Sequence, residues 1–233
     1  MNRRLYLFAL ASLTLPAALA QSERLTQGPH RLEITLEKKE ASGWRTVDPG
    51  LVFEHNDLVR FRVRANFDGY LYVMNQSTSG RYSLLFPSEE AGTKNRMEAG
   101  RDYLVPATQG WFRIAGPPGH EVVYWLASPL ELPGEEGVKP YVPLPPPPEP
   151  GKIPPNITPR CDDTILRARG DCVDTSAGAK PVGSKDRLPE NLAGVPRAAS
   201  RDLLFVRRPQ ASVVASPAGL QGPVVFEFRL AHR

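Results

Sequence analysis

The sequence predicts an all-β protein: an antiparallel β-sandwich, immunoglobulin-like or jelly-roll-like, with a long proline-rich and mostly irregular excursion before the C-terminal strands. Three observations support this fold class. Short apolar runs alternate with turn residues between Asp57 and Ser128, no helical period joins them, and ten of the 25 prolines fall between Pro140 and Pro159. Strands at such spacing favour antiparallel sheets, and a proline run forms an extended segment without a packed core.

The first strands follow from a period of two in the apolar residues. Leu32, Ile34 and Leu36 alternate with polar residues, and residues 44–47 and 51–53 predict two more short strands. A longer strand then alternates two kinds of side chain, with apolar Val59, Phe61, Val63 and Ala65 set against Arg60, Arg62 and Arg64. One face of this strand is therefore expected in the core, and the other, the arginine row, in water.

The next run, from Tyr70 to Met74, is apolar at every position, which is typical of a central strand covered on both faces. The polar loop from Ser77 to Gly80 then predicts a hairpin with residues 82–86. Pro87 ends this strand because proline has no amide hydrogen to donate to a neighbouring strand. Further strands are expected at residues 103–105, 111–114 and 122–126.

After the excursion, apolar runs return at residues 203–206, 212–215 and 224–230. In the last run the apolar residues share one face: Val224, Phe226, Phe228 and Leu230. Such a strand is not stable alone, and the edge of the N-terminal sandwich is the simplest place for it. Residues 29–130 and 201–231 are therefore expected to form one β-sandwich domain, interrupted by residues 131–200.

Residues 1–20 have the pattern of a signal peptide. A basic start and an apolar middle precede small residues that predict cleavage between Ala20 and Gln21. The apolar run is too short for a comfortable membrane span, so no span is expected after the signal is removed. The expected location is the periplasm or the extracellular space.

Several short motifs follow one another in a recognisable order: Arg62-Val63-Arg64, Asp68-Gly69-Tyr70-Leu71-Tyr72-Val73, Leu85-Phe86-Pro87, Asn95, Ala99-Gly100 and Gly116-Pro117-Pro118-Gly119. In these motifs the chain resembles the bacterial family called domain of unknown function 4384, over about a third of its length. The resemblance implies an all-β module, which in this family follows a protease-like or kinase-like domain or stands alone behind a signal peptide. It implies no catalytic residue, because no reaction is assigned to the family.

Cys161 and Cys172 are the only cysteines, and both follow the signal. An oxidising compartment is expected to join them in a structural disulfide that stabilises the fold by about 2 to 3 kcal/mol. Two cysteines are too few for a metal site, and their spacing is not the Cys-x-x-Cys of a redox pair. Residues 160–200 have few large apolar side chains and are expected to be irregular, mobile and held by the disulfide alone.

The formal net charge of +4 is a small excess for 233 residues and does not call for nucleic acid as a partner. The arginine row is the basic patch visible in the sequence, and we interpret it as the solvated face of an amphipathic strand. The run Pro145 to Pro148 is either a stiff spacer or a ligand for an aromatic groove, and the spacer is the simpler interpretation.

No catalytic, cofactor-binding or metal-binding residue is predicted. The four histidines are scattered along the chain, at His30, His55, His120 and His232. His120 and Glu121 are the strongest acid-base candidates, but neighbours in a strand point to opposite faces. The polar segment from Ser88 to Arg101 also offers oxygen ligands for calcium, in Glu89, Glu90 and Asn95, but without the spacing of a calcium-binding loop.

Five aromatic residues would form a sugar platform if they faced outward: Tyr70, Tyr72, Trp111, Tyr124 and Trp125. In strands of alternating pattern at least half of them belong to the core. Tyr72 and Trp125 are the two whose outward orientation would most favour sugar binding.

These observations predict an exported, non-enzymatic β-sandwich module that binds an envelope protein or a surface polysaccharide. The strand edges and the loops at residues 88–101 and 131–200 are the expected contact regions. The alternative is a carbohydrate-binding or cell-wall-binding module that uses Trp111 or Trp125. A hydrolase is the third class, and it requires a histidine, a carboxylate and a nucleophile brought into one cleft.

Overall fold

The structure is a computed structural model of the 233-residue chain and describes residues 29–87, 95–107, 110–131, 158–168, 170–183, 188, 192 and 199–233. Its strands are β1 (His30–Glu40), β2 (Gly43–Val47), β3 (Val52–Phe53), β4 (Leu58–Ala65), β5 (Gly69–Gln76), β6 (Tyr82–Phe86), β7 (Arg96–Met97), β8 (Asp102–Val105), β9 (Phe112–Arg113), β10 (Gly119–Ser128), β11 (Gly178–Lys180), β12 (Leu204–Arg208), β13 (Ala211–Ser216) and β14 (Val224–His232). Helix α1 (Thr164–Ala168) and a 3-10 helix (Ala199–Asp202) accompany them. Neither helix within these ranges has the length or the apolar character needed to cross a bilayer. The signal, Glu89, Glu90 and the proline run lie outside the described residues.

The strands form two sheets. The first has the order β12-β13-β1-β4-β8, with β2 beside β1 and β9 beside β4. The second has the order β11-β14-β10-β5-β6, with β3 beside β14 and β7 beside β5. The pairings of these strands are antiparallel except for β3 with β14, which is parallel. The predicted all-β, antiparallel sandwich is confirmed.

The inner sides of the two sheets enclose the main core. Phe61 of β4 lies edge-on to Trp125 of β10, with ring centroids 5.3 Å apart, and to Phe228 of β14 at 5.1 Å. All three side chains are fully buried. Because burying a phenylalanine side chain contributes roughly 1.5 to 3 kcal/mol, these contacts hold the first sheet against the second.

The second sheet has an apolar outer side as well. Leu71 and Val73 of β5 face the main core, whereas Tyr72 and Met74 belong to a separate apolar cluster on the other side. The prediction that this strand is covered on both faces is therefore confirmed. The residues that complete the outer cluster come from three other parts of the chain: Tyr124, Leu126, Leu188, Leu192 and Val225.

The expectation that the disulfide alone holds residues 160–200 is wrong. Leu188 and Leu192 pack on the outer side of the second sheet, and β11 pairs with β14. The disulfide between Cys161 and Cys172 is present, and the Cys172 carbonyl accepts a hydrogen bond from the Val52 amide at 2.8 Å. Two isolated leucines and a three-residue strand give too weak a pattern for sequence reasoning to detect.

The last strand, β14, lies inside the second sheet and not at its edge. It pairs with β10 along one side and with β11 and β3 along the other. An edge position would leave one row of its backbone groups unpaired. The expectation that β14 lies at the edge is therefore wrong, because the short strands β3 and β11 pair with it along the side away from β10.

Candidate functional site

The outer side of the first sheet concentrates positive charge. Strand β4 lies between β1 and β8, and paired residues in antiparallel strands share a face. Among the paired strand residues, the cations on this side are Arg31, Lys39, Arg60, Arg62, Arg64, Arg113 and Arg208. The acids are Glu33, Glu37 and Asp102. We call this surface the basic face, and its seven cations and three acids give a net formal charge of +4.

A buried carboxylate lies at the centre of the basic face. Glu37 is only 5% exposed and accepts hydrogen bonds from Arg60 Nε at 2.5 Å and from Arg62 Nη2 at 2.8 Å. Arg60 is also held from a second direction, because its guanidinium lies over the Trp44 ring, 4.2 Å from the ring centroid. Two members of the arginine row are thus fixed by their neighbours, and the row is solvated only in part.

The basic face is more open near Arg64. The Arg64 side chain is 61% exposed, and its Nε lies 3.8 Å from Asp102 Oδ1. The Arg62 side chain is 42% exposed, with its Nη1 at 3.7 Å from Asp102 Oδ2. Both contacts are longer than hydrogen bonds, so these two guanidinium groups retain surface with which to contact another molecule.

Sequence reasoning identified the arginine row but missed the two residues that order it, Glu37 and Trp44. Glu37 stands directly opposite Arg60 in the register of β1 and β4, and opposite charges on neighbouring strands form stabilising pairs. The alternating polar residues of β1 contained this signal. It becomes readable only when the pairing partner and the register of the strand are known.

The structure places His120 and Glu121 on opposite sides of the second sheet. His120 Nε2 lies 3.2 Å from Asp174 Oδ2 on the outer side, and burial lowers the pKa of His120 although the Asp174 charge opposes this shift. Ser176 Oγ donates a hydrogen bond to Asp174 Oδ1 at 2.6 Å. The Asp174 carboxylate therefore lies between the Ser176 hydroxyl and the His120 imidazole. Activation of a serine nucleophile requires direct contact between hydroxyl and imidazole, so this arrangement does not match a catalytic serine site.

Glu121 belongs to a buried polar cluster on the inner side of β10. Its carboxylate accepts hydrogen bonds from Asn75 Nδ2 at 2.9 Å and from the Thr78 amide at 3.4 Å, and His232 Nε2 lies 3.6 Å away. Burial raises the pKa of Glu121 and lowers that of His232, so both shifts disfavour an ion pair between them. Gly116 packs against Thr78 of this cluster so closely that a Cβ at position 116 would lie 2.7 Å from Thr78 Oγ1. With Glu121 only 4% exposed, a substrate would not reach this carboxylate without movement of the surrounding chain.

The other predicted candidates lie apart from one another. His30 Nδ1 accepts a hydrogen bond from the Leu220 amide at 2.6 Å, and His55 is exposed in the turn between β3 and β4. Asn95 is 6% exposed, and its backbone carbonyl accepts a hydrogen bond from the Leu71 amide at 2.8 Å. In the part of the chain that the structure describes, no three His, Cys, Asp or Glu side chains form a group suited to hold a metal ion.

Most of the aromatic residues considered for sugar binding are covered. Trp125 is fully buried in the main core. Tyr72 and Tyr124 do point to the outer side of the second sheet, but the outer cluster leaves them only 7% and 5% exposed. Tyr70 and Trp111 are half-buried. The surface available for stacking against a sugar is therefore reduced to these last two residues.

Comparisons with known proteins bear on the family resemblance. No curated protein and no solved structure matches the chain. A family model described as Domain of unknown function (DUF4384) matches residues 52–131, which run from β3 through β10 and contribute strands to both sheets. The resemblance expected from the motifs is confirmed: residues 52–131 have the sequence pattern of the DUF4384 family.

Proposed function

We propose that this protein is an exported, non-enzymatic β-sandwich module that binds an envelope protein or a surface polysaccharide. The proposal rests on the basic face, where seven cations and three acids share one side of a continuous sheet. Such an imbalance attracts partners of opposite charge and accelerates their association. Within the described part of the molecule, the basic face is therefore the strongest candidate for the binding surface.

Prearrangement of the charged groups supports the same role. Glu37 holds Arg60 and Arg62, and the Trp44 ring lies against Arg60. Ordering a long side chain at an interface costs about 0.5 to 1.5 kcal/mol, so groups that are already ordered lose less freedom on binding. The guanidinium groups at the centre of the basic face are therefore already ordered before a partner binds.

Two features support an exported protein. The first is the signal pattern that ends at Ala20. The second is the Cys161–Cys172 disulfide, because such bonds persist in oxidising compartments. Of the loops expected to make contacts, residues 88–94 and 132–157 lie outside the described residues.

The alternative, a module that recognises carbohydrate by aromatic stacking, now rests on Trp111. Trp111 is half-buried next to β9, whereas Trp125 is part of the main core. Trp111→Ala is therefore the informative change, because Trp125→Ala would disturb the fold itself. Loss of wall retention in Trp111→Ala, with the fold intact, would favour this alternative.

The proposed function is tested by co-sedimentation of the purified mature protein with isolated bacterial envelopes. We expect the protein to pellet with the envelopes and the double variant Arg64→Glu, Arg113→Glu to remain largely in the supernatant. The two reversals bring the net charge of the basic face from +4 to zero. Both residues are exposed, so the variant is expected to fold.

A matched control comes from two exposed arginines elsewhere, Arg167 on α1 and Arg201 in the 3-10 helix. The variant Arg167→Glu, Arg201→Glu has the same total charge as the test variant and should pellet like the unchanged protein. Failure of the folded, unchanged protein to pellet contradicts the binding role. Turnover of a substrate by the purified protein contradicts the non-enzymatic one.

A further inference from the structure

We infer that the basic face binds an anionic polysaccharide through its arginine side chains. This inference rests on the proposed function and names the chemical class of the partner. Its starting point is charge complementarity, since the face has a net formal charge of +4. Carboxylate and phosphate groups are the natural ligands of guanidinium, which binds them through two parallel hydrogen bonds.

The arrangement of the arginines matches a chain-like ligand with repeated charges. Arg60, Arg62 and Arg64 point to the same side of β4, and alternate residues of a strand are about 7 Å apart. Arg113 lies beside the start of this row, on β9 directly opposite Leu58 of β4. A flexible polyanion laid along β4 would therefore meet the exposed guanidinium groups of Arg62 and Arg64 about 7 Å apart, next to the less exposed Arg60.

The centre of the basic face is unlike the centre of a stable protein interface. Stable protein interfaces have an apolar centre and a charged rim. Here the centre is Glu37 with its arginines, and Leu104, at 39% exposed, is the large exposed apolar residue found on this side among the described residues. A polysaccharide needs no apolar pocket, so this surface suits it better than a folded protein.

Recognition by charge also agrees with the state of Trp44. This ring is an aromatic group of the basic face, but Arg60 lies over it at 4.2 Å and Lys39 Nζ at 5.4 Å from its centroid. The cations occupy the positions where a sugar ring would stack. The ligand is therefore expected to contact the cations and not the indole.

The arginines of β4 differ in how much of each side chain a ligand can contact. Arg60 is only 15% exposed and holds the network together, whereas Arg62 and Arg64 expose 42% and 61% of their side chains. Asp102, 3.7 and 3.8 Å from these two, is close enough to orient them but too far for a hydrogen bond. A ligand carboxylate can take the hydrogen bonds that Asp102 leaves unmade.

The inference is tested by measuring binding to polygalacturonate, a carboxylated polysaccharide, at low ionic strength. We expect saturable binding that weakens as salt is added, and a loss of tenfold or more in affinity, on the order expected for field-driven association, in Arg64→Glu, Arg113→Glu. The variant Arg167→Glu, Arg201→Glu should bind like the unchanged protein. Neutral dextran should not bind.

Two further probes, polyglutamate and phosphatidylglycerol vesicles, decide between partner classes. Tighter binding of polyglutamate than of polygalacturonate would overturn the inference in favour of an acidic protein, and tighter binding of phosphatidylglycerol vesicles would overturn it in favour of a lipid surface. Equal affinity of the unchanged and the charge-reversed protein would overturn the basic face as the site. If the charge-reversed variant fails to fold, Arg64→Gln, Arg113→Gln replaces it, with a smaller loss expected.

The outcomes separate this inference from the proposed function. Retention on envelopes, lost on charge reversal, without binding to polygalacturonate leaves the proposed function standing and overturns the inference. Absence of both overturns both. Binding to polygalacturonate together with envelope retention, each lost in the charge-reversed variant, supports both.

Discussion

At the scale of single residues, Glu37 determines how the basic face is organised. Its carboxylate is 5% exposed and lies between two arginines from the neighbouring strand. A charge removed from water is tolerated when a partner and hydrogen bonds compensate it, and its loss leaves the partner charge uncompensated. The effect is largest for Arg60, whose side chain is 15% exposed.

We predict that Glu37→Gln lowers the free energy of unfolding by about 2 kcal/mol, the size expected for hydrogen bonds to a charged group. Urea titration of the purified protein measures this loss. Asp102→Asn is the control, because Asp102 is 45% exposed and its arginine contacts are longer than hydrogen bonds. Its effect should stay within about 0.5 kcal/mol. Equal losses in the two variants would contradict the role given to Glu37.

Glu121 gives a second prediction, on pH dependence. Burial raises the pKa of Glu121 above its ordinary value of 4.5, although Asn75, Thr78 and Arg81 oppose this shift. The folded protein thus retains the proton more firmly than the unfolded chain, and the free energy of unfolding falls as the pH rises above that value. Glu121→Gln removes this ionisation. Its stability relative to the unchanged protein should therefore increase from pH 4.5 to neutral pH in urea titrations, and a difference independent of pH would contradict the shift.

At the scale of elements, strands with several apolar residues were predictable, including the short β3 and β9 within the expected residues 51–53 and 111–114, whereas the short strands β7 and β11 were not. The alternations in β1, β4 and β14 specify both the strand and its buried side, because each has several apolar residues on one face. The two residues of β7 and the three of β11 have no such period. They become strands because β5 and β14 offer them backbone partners, which local sequence does not reveal.

The outer cluster of the second sheet also depends on distant residues. Leu192 is 1% exposed there, and we predict that Leu192→Ala lowers the free energy of unfolding by about 3 kcal/mol, the usual loss for a buried leucine. Ile165→Ala is the matched control, because Ile165 is 68% exposed on α1, and its effect should stay within about 0.5 kcal/mol. Chemical denaturation measures both. An equally small loss of stability in the two variants would show that Leu192 does not pack into the outer cluster.

The disulfide gives an element-scale prediction of its own. It joins residues 11 apart in the chain, so replacing both cysteines by serine should lower the free energy of unfolding by about 3 kcal/mol. Because β11 and the outer cluster also hold this part of the chain, we expect the sandwich to remain folded. Denaturation of the double variant, compared with the unchanged protein with and without reductant, checks this. An unchanged stability, or complete unfolding of the sandwich at room temperature, would contradict it.

At the scale of the whole molecule, the two sheets are built from both ends of the described chain. Strand β13 pairs with β1, and β14 pairs with β10, so residues after the excursion enter each sheet. The segment that matches the DUF4384 family supplies strands to both sheets but completes neither. The family resemblance therefore predicted the fold class well, and the closure of the sandwich followed from the apolar pattern of β14.

The basic face illustrates why the candidate site was predicted only in part. The arginine row of β4 was visible because its three residues are close in sequence. Arg31, Lys39, Arg113 and Arg208 join it only through strand pairing, and the overall charge of +4 conceals how strongly the cations are concentrated on one side. The charge of this surface can be summed only when the strand pairing and its register are known.

The most direct test of the account is arginine footprinting of the protein bound to envelopes. An arginine-specific reagent and mass spectrometry measure how fast each guanidinium is modified in the free and the bound protein. We predict slower modification of Arg64 and Arg113 on binding, with unchanged rates at Arg167 and Arg201, which are exposed outside the basic face. Slower modification of Arg167 or Arg201, with Arg64 and Arg113 unaffected, would contradict the central claim that the basic face is the binding surface.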